Sequence, residues 1–506
     1  MADRSELAAL LSSAGLVMVG GLVSAGSRLA ERIIIGRALS PELYGELSVG
    51  IAILTFSTTL ALAGLYQGVP RYISRFESEA DRRGVWFTGL AIAMPLALVA
   101  AAVLTVFAGS MVSLLFEEPE SWNLLYLFIA AIPFVVGQRI AIGGIRGHEN
   151  TIYRTYTKDL LYPLGRIALI AVLLALGFGI TAAGYAYLAA AIATCLVAHY
   201  LLNRLIPLVG PVRTHAREMV VFSLPLVLST VLTVLLSRTD TLMLAYFRSS
   251  YEVGQYNAAY PVAGGLLVVL SAFGFMYLPV ASRLDADDER EEVDRVYTVT
   301  TKWVYVVTFP AFLVFVTAPT DVMRIFFGAE YTEAAAVLPI LSIGFFLSAA
   351  VGRNRETLSA LGETQFILVA NGAGFVLNVV LNLVLIPRIG FVGAAVTSAL
   401  SFAVTHAVVV GTLAVRHGIT PLSAESLRTF VSLPVLLLPP AALVLGRAVT
   451  VTTVTLLPVL LAVGLVSLVV VTLAGGLQSE DEVVLEFVED AVGGEIPVVR
   501  RYLPNN

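Results

Sequence analysis

The chain has 506 residues, 58% of them hydrophobic and only 13% charged, about half the ~25% charge of a typical soluble domain. With a mean hydropathy of +0.87, so few charges cannot cover a water-facing surface, and most helices must face lipid or one another. Soluble enzymes, nucleic-acid binders and disordered scaffolds are therefore poor fits. The single cysteine, Cys195, excludes an intrachain disulfide, and a net charge of −5 is too small to name a partner.

In chain order, hydropathy predicts fourteen membrane spans, at 13–36, 43–65, 85–108, 122–145, 159–178, 182–203, 219–245, 257–280, 300–318, 335–352, 365–386, 391–414, 429–446 and 453–474. The first is expected to stay, because Asp3, Arg4 and Glu6 precede an apolar stretch long enough to span. The fifth is the weakest, interrupted by Pro163 and Arg166. The thirteenth carries Pro434, Pro439 and Pro440, kinks that a membrane helix tolerates when neighbours satisfy the freed backbone groups. Loops after even-numbered spans hold 17 basic residues and loops after odd-numbered spans hold 5. Lys and Arg accumulate in cytoplasmic loops, so both termini are expected in the cytoplasm. Between spans 2 and 3, the stretch Tyr66 to Arg83 looks amphipathic and is expected on the anionic leaflet.

The chain also repeats itself at a spacing near 210 residues. Ser40-Pro-Glu-Leu-Tyr-Gly45 after span 1 answers to Ser250-Tyr-Glu-Val-Gly254 after span 7. Pro70 to Arg75 answers to Pro279 to Arg283, Gly147 to Thr151 to Gly362 to Gln365, and Gly179 to Gly184 to Gly390 to Gly393. A six-span unit enters the membrane twice from the same side, which gives a parallel repeat about an axis along the membrane normal. The expected fold is an all-α polytopic membrane protein of about 14 transmembrane helices. It comprises a six-helix lobe at 1–210, a second at 211–418, a helix pair at 419–477 and a cytoplasmic tail at 478–506. Two such bundles around a cleft suit alternating access.

At these residues the sequence resembles a known family. Leu39-Ser-Pro-Glu-Leu-Tyr-Gly45, Ser237-Arg-Thr-Asp240 with Val253-Gly-Gln-Tyr256, and Gly390-Phe-Val-Gly-Ala-Ala395 are similar to the polysaccharide-export (Wzx-type) flippases. These belong to the multidrug, oligosaccharidyl-lipid and polysaccharide exporter superfamily, and the likeness covers spans 1 to 12. It implies translocation of a polyprenyl-linked sugar from the cytoplasmic to the outer leaflet of the cell membrane.

Ionisable groups inside spans cost about 2.5 to 3.5 kcal/mol and are functional candidates by default. Arg28, Glu31 and Arg32 share one face of span 1, and Arg238 lies 210 residues after Arg28 with Asp240 beside it. Arg28, Arg32 and Arg238 are candidates for a phosphate or pyrophosphate, which a forked guanidinium suits. Glu31 and Asp240 are candidates for orienting them or for carrying a coupling proton or sodium ion. The alternative is that Arg28, Glu31 and Arg32 neutralise one another to hold the helix in its bundle. Arg139 near the end of span 4 and Arg353 near the end of span 10 could receive a headgroup, or snorkel to the interface. Asn371, Asn378 and Asn382 form one stripe on span 11, suited to sugar hydroxyls or to interhelical hydrogen bonds. Arg166, His199 and His406 are expected to be packed or snorkelling residues.

There is no phosphate-cradling glycine loop with a following Lys, no metal-spaced His/Cys cluster and no long outer loop. No catalysis, cofactor, metal or nucleic acid is expected; membrane lipids and a lipid-linked saccharide are. The rivals to a flippase are a cation-coupled drug efflux pump of the same superfamily and a membrane enzyme acting on lipid-linked sugars. Arginines outnumber carboxylates on spans 1 and 7, which favours anionic cargo.

Overall fold

A computed structural model of the chain describes residues 4–118, 121–478 and Asp481. The described residues are helical and loop, with no strand among them, and each expected span is helical over most of its length. Among the described residues nine helices are long and apolar enough to cross a membrane, ten if one bent pair counts as a span. The chain forms two compact units, residues 1–258 with 378–394, and residues 259–377 with 395–506. The acidic tail segment at 479–490 lies outside the described residues except for Asp481.

The first unit begins with α1 (Arg4–Ala38), α2 (Pro41–Leu62), α3 (Leu65–Arg75), α4 (Glu79–Leu115) and α5 (Ser121–Gly147). The short α6 (Thr151–Arg154) and a π-helical segment, Thr155–Leu161, lead into α7 (Tyr162–Ala175). Then come α8 (Thr181–Leu205), α9 (Ala216–Phe247) and the start of α10 (Ser250–Gly264). The Ser-Pro-Glu motif works as a helix start: Ser40 Oγ accepts from the Leu43 amide at 3.4 Å, Pro41 fills the first turn and Glu42 faces its free N–H groups. Helix α2 ends where Ala63 and Gly64 turn left-handed (φ 46° and 73°).

Helix α3 is amphipathic as the sequence suggests, but its apolar face is covered by protein rather than lipid. Leu65, Val69, Tyr72 and Ile73 are buried, and the Tyr72 hydroxyl donates to the Glu218 carbonyl at 3.0 Å. An amphipathic pattern specifies one apolar face and does not say what covers it.

The repeated turn motifs meet each other. A Cβ on Gly45 would run into the Ser250 carbonyl oxygen, and a Cβ on Gly254 into that of Pro41. Gly254 follows Gly45 by 209 residues, as Ser250 follows Pro41, so the α2–α10 crossing is reciprocal, as a local twofold requires. Glu46, fully buried, ties this crossing down. Its carboxylate accepts from the Glu117 and Glu118 amides (2.6 and 2.9 Å), from Ser250 Oγ (3.1 Å) and from Ser121 Oγ.

The second unit contains α11 (Leu267–Ala286), α12 (Arg290–Thr317), α13 (Pro319–Phe326), α14 (Leu338–Ala350), α15 (Asn354–Ala360), the flanks of α16 (Thr364–His417), α17 (Ala424–Leu443) and α18 (Leu456–Leu473). Helix α12 is central, with α11, α14, α17 and α18 packed around it. Its Tyr305 and Phe309 join Phe346 and Phe430 in an aromatic cluster. Lys302 on α12 is almost wholly buried. It pairs with Asp481, which also accepts from Trp303 Nε1 at 2.7 Å, and it donates to the Gly476 carbonyl at 3.2 Å. The chain leaving α18 is thereby fastened to α12.

The 54 residues of α16 would extend ~80 Å as one straight helix, more than twice a ~30 Å hydrocarbon core. The helix is broken at Ile389 and Gly390, where φ becomes −129° and 59°. Glycine is needed there both for the left-handed φ and because a Cβ would meet the Glu252 carboxylate. The freed backbone groups are satisfied from the α9–α10 turn. Arg248 donates to the carbonyls of Ile386 (2.9 Å) and Pro387 (2.8 Å), and Glu252 accepts from the Phe391 amide at 2.9 Å. The Gly390 step thus separates expected spans 11 and 12.

Candidate substrate site

The charges of α1 are resolved by partners from other helices of the first unit. Glu31, 2% exposed, accepts from Arg166 Nε at 2.8 Å and Nη2 at 2.5 Å, and from the Tyr187 hydroxyl at 2.7 Å. Arg166, on α7, lies between the rings of Tyr162 and Tyr187 (4.9 and 4.2 Å to the centroids). A buried carboxylate with a forked guanidinium and a phenol has its charge balanced and most of its lone pairs filled. The mutual neutralisation of Arg28, Glu31 and Arg32 is therefore replaced by a Glu31–Arg166 pair, and Arg166 is packed, as one of the two expectations for it had it, rather than snorkelling.

Arg28 is exposed, donates to Ser24 Oγ at 2.9 Å, and has no carboxylate at ion-pair distance among the described residues. Arg32, half-buried, hydrogen-bonds the hydroxyl of Tyr44, which in turn donates to the Asn257 carbonyl at 3.4 Å. Arg238, half-buried on α9, is close enough for its charge to act on that same tyrosine. Tyr44 thus connects α1, α2, α9 and α10 at the arginines singled out from the sequence.

Asp240, 2% exposed, accepts from the Tyr256 hydroxyl (2.8 Å), Asn378 Nδ2 (2.9 Å) and Asn382 Nδ2 (2.7 Å). In this conformation the amides of Asn378 and Asn382 are turned onto Asp240. The buried Asn382 Oδ1 has no hydrogen-bond partner, which leaves one acceptor beside a carboxylate. Asn371 and Arg353 belong to the second unit. Asn371 accepts from Arg355 at 3.0 Å, and Arg353 donates to Glu356 at 2.7 Å and to the Leu270 carbonyl. Arg139, in the first unit, is half-buried with its guanidinium 6.0 Å from the Tyr66 ring. Arg166, Tyr187, Tyr44 and Glu46 were not singled out from the sequence as site residues, although Tyr44 and Glu46 stand within and beside the Ser40–Gly45 turn motif.

Long apolar helices that enclose ionisable groups with matched partners define a multi-pass membrane protein. The profile of the family described as "Polysaccharide biosynthesis protein" matches residues 10–285, more than half of the chain, and the chain belongs to that family. A second profile, MatE, matches residues 225–384. Both bear out the resemblance to the exporter superfamily. The chain is 30% identical over 190 residues to the "Probable low-salt glycan biosynthesis flippase Agl15" of Haloferax volcanii, covering 38% of this chain and 40% of that one. It is 24% identical over 278 residues to the "Probable flippase AglR" of the same organism, covering 54% and 57%. The chain thus spans about half the length of the curated relatives it matches. Among solved structures, "Lipid II flippase MurJ, inward closed conformation" superposes with a TM-score of 0.70 at 12% identity, over 90% of this chain and 97% of that one. The shared property there is the fold.

Proposed function

We propose that the protein is a flippase that moves a polyprenyl-(pyro)phosphate-linked saccharide from the cytoplasmic to the outer leaflet by alternating access, for polysaccharide or glycoprotein glycan assembly. The observation that carries this reading is Arg28, an exposed guanidinium on a membrane helix whose neighbouring carboxylate, Glu31, is held by Arg166. A cation on a membrane helix with no carboxylate at ion-pair distance, and only Asp159 and Glu31 acting on it from further off, suits an anionic ligand. Arg32 and Arg238 around Tyr44 extend the positive character. Family membership and the flippase names of the two Haloferax relatives support the reading. The work is transport, not bond chemistry. The six-helix lobes at 1–210 and 211–418 account for the reciprocal α2–α10 contact.

Asp240 is the proposed seat of a coupling proton or sodium ion, because rotating its amide neighbours would bring carbonyl oxygens around the carboxylate, and Asn382 Oδ1 already lacks a partner. Proteoliposomes loaded with a polyprenyl-diphosphate oligosaccharide test both points by leaflet accessibility. The wild-type protein is expected to move the lipid faster under an imposed sodium or proton gradient, and Asp240→Asn to lose the gradient dependence. A second reading, cation-coupled drug efflux, is favoured by the MatE match. Transport of a cationic dye with none of the lipid would establish it in place of the flippase.

The topology belongs to the same proposal: fourteen crossings with both termini cytoplasmic, from the 17-to-5 basic asymmetry. Reporter fusions after Ser250 and after Thr420 are expected to read outside and inside, respectively. The reverse pattern refutes it.

A further inference from the structure

Helix α3 is fixed in place by close packing. A Cβ on Gly64 would meet the Ser223 carbonyl, and one on Gly68 the Ser223 hydroxyl. Its opposite face exposes Gln67, Arg71 and Arg75. At its start the Tyr66 ring receives two guanidiniums from α5, Arg139 at 6.0 Å and Arg146 at 5.7 Å from the ring centroid. These arginines are seven residues apart and so on one helix face, about 10 Å along the axis. All three side chains are half-buried. Arg146 also donates to Gln67 Oε1 at 3.0 Å.

Some arginines near helix ends have carboxylates: Arg353 has Glu356, Arg416 has Glu363, Arg83 has Glu79 and Arg213 has Asp81. Arg139 and Arg146 have none at ion-pair distance among the described residues. A cation about 6 Å from a ring is at the outer limit of that attraction, so the ring holds the guanidiniums loosely and leaves most of their N–H donors open. Two under-used guanidiniums beside one aromatic ring fit a phosphate attached to a sugar. The N–H forks take the phosphate oxygens, and the ring takes the C–H face of the sugar.

We propose that Tyr66, Arg139 and Arg146 form a loading site for the phosphate–sugar junction of a lipid-linked saccharide, distinct from the cluster at Arg28. The proposal rests on the flippase reading. The phosphate of an ordinary anionic phospholipid has the same chemistry without the sugar, and the test separates the two sources.

The experiment uses the full chain in lipid nanodiscs, with a polyprenyl-phosphate hexose, the same polyprenyl phosphate without sugar, and phosphatidylglycerol as probes. Arg139→Ala and Arg146→Ala are each expected to weaken binding of both polyprenyl probes about tenfold, the scale of one lost charged hydrogen bond. Tyr66→Ala should weaken only the sugar-bearing probe, and Tyr66→Phe, which keeps the ring, should weaken neither. In transport the variants should raise the half-saturating probe concentration and leave the saturated rate unchanged, because loading precedes translocation. Phosphatidylglycerol displacing the hexose probe as well as the sugar-free polyprenyl phosphate does would make the cluster a leaflet anchor and overturn the proposal. Wild-type transport with variants indistinguishable from it would overturn the loading site alone. Failure of the wild-type protein to bind or move the hexose probe would overturn the flippase reading with it.

Discussion

Gly45→Ala is expected to slow transport and Gly45→Leu to abolish it, with the folded protein still present in the membrane; Gly254→Ala and Gly254→Leu should do the same. At this crossing each glycine faces a backbone carbonyl of the other helix, and a backbone cannot turn aside as a flexible side chain can. Overpacking at such a contact costs about 1 to 3 kcal/mol, a five- to hundredfold shift in a two-state equilibrium. In a protein working by alternating access, the shift falls on whichever state keeps α2 and α10 together. The variants should therefore redistribute conformations rather than unfold the chain. A cysteine at Ala258, four residues beyond Gly254 and buried, placed in a Cys195→Ser background, reports this through an impermeant maleimide. Labelling should rise in the glycine variants. Unchanged labelling together with unchanged transport would mean that the crossing is fixed throughout the cycle.

The two parts of that crossing differed in legibility. The glycines were readable as a spaced repeat, because a motif that starts a helix with Ser-Pro-Glu or turns it at glycine is local chemistry. Gly390 was readable for the same reason. Glu46 was not, since its partners lie 71 to 204 residues away and nothing in the neighbouring sequence selects them. The same limit governs the candidate site. Helical spacing puts Arg28, Glu31 and Arg32 within one turn of each other, and it cannot tell which charge the carboxylate chooses when another helix brings a better-oriented donor. Arg166 comes from α7, 135 residues on, in the segment with the poorest hydropathy pattern. Asn378 and Asn382 were readable as a stripe, whereas their turn onto Asp240 depends on how α16 approaches α9. The apolar stripe of α3 was legible, but not the helices that cover it.

The Glu31–Arg166 pair also determines how the arginines should respond to mutation. Arg28→Ala removes no ion pair seen in the structure, so the amount of folded protein should stay at the wild-type level. Transport should fall about tenfold to a hundredfold, the effect of losing a charged hydrogen bond worth ~1.5 to 3 kcal/mol. Lysine at position 28 should rescue only partly, because it keeps the charge without the fork. Glu31→Ala should behave differently. It strands Arg166, 8% exposed, between two tyrosines, and breaking a buried pair from one side costs about 3 to 5 kcal/mol, enough to deplete folded protein. Glu31→Gln combined with Arg166→Met removes both charges and should restore folded protein. Neutralising Arg28 together with Glu31 should not, because Arg166 would still be buried without its carboxylate. The measurement is transport per folded molecule across the five variants. If the Arg28/Glu31 double variant, Arg28→Ala with Glu31→Ala, transported like wild type, Arg28 would serve only to balance Glu31, and the cargo's phosphate would have to be held elsewhere.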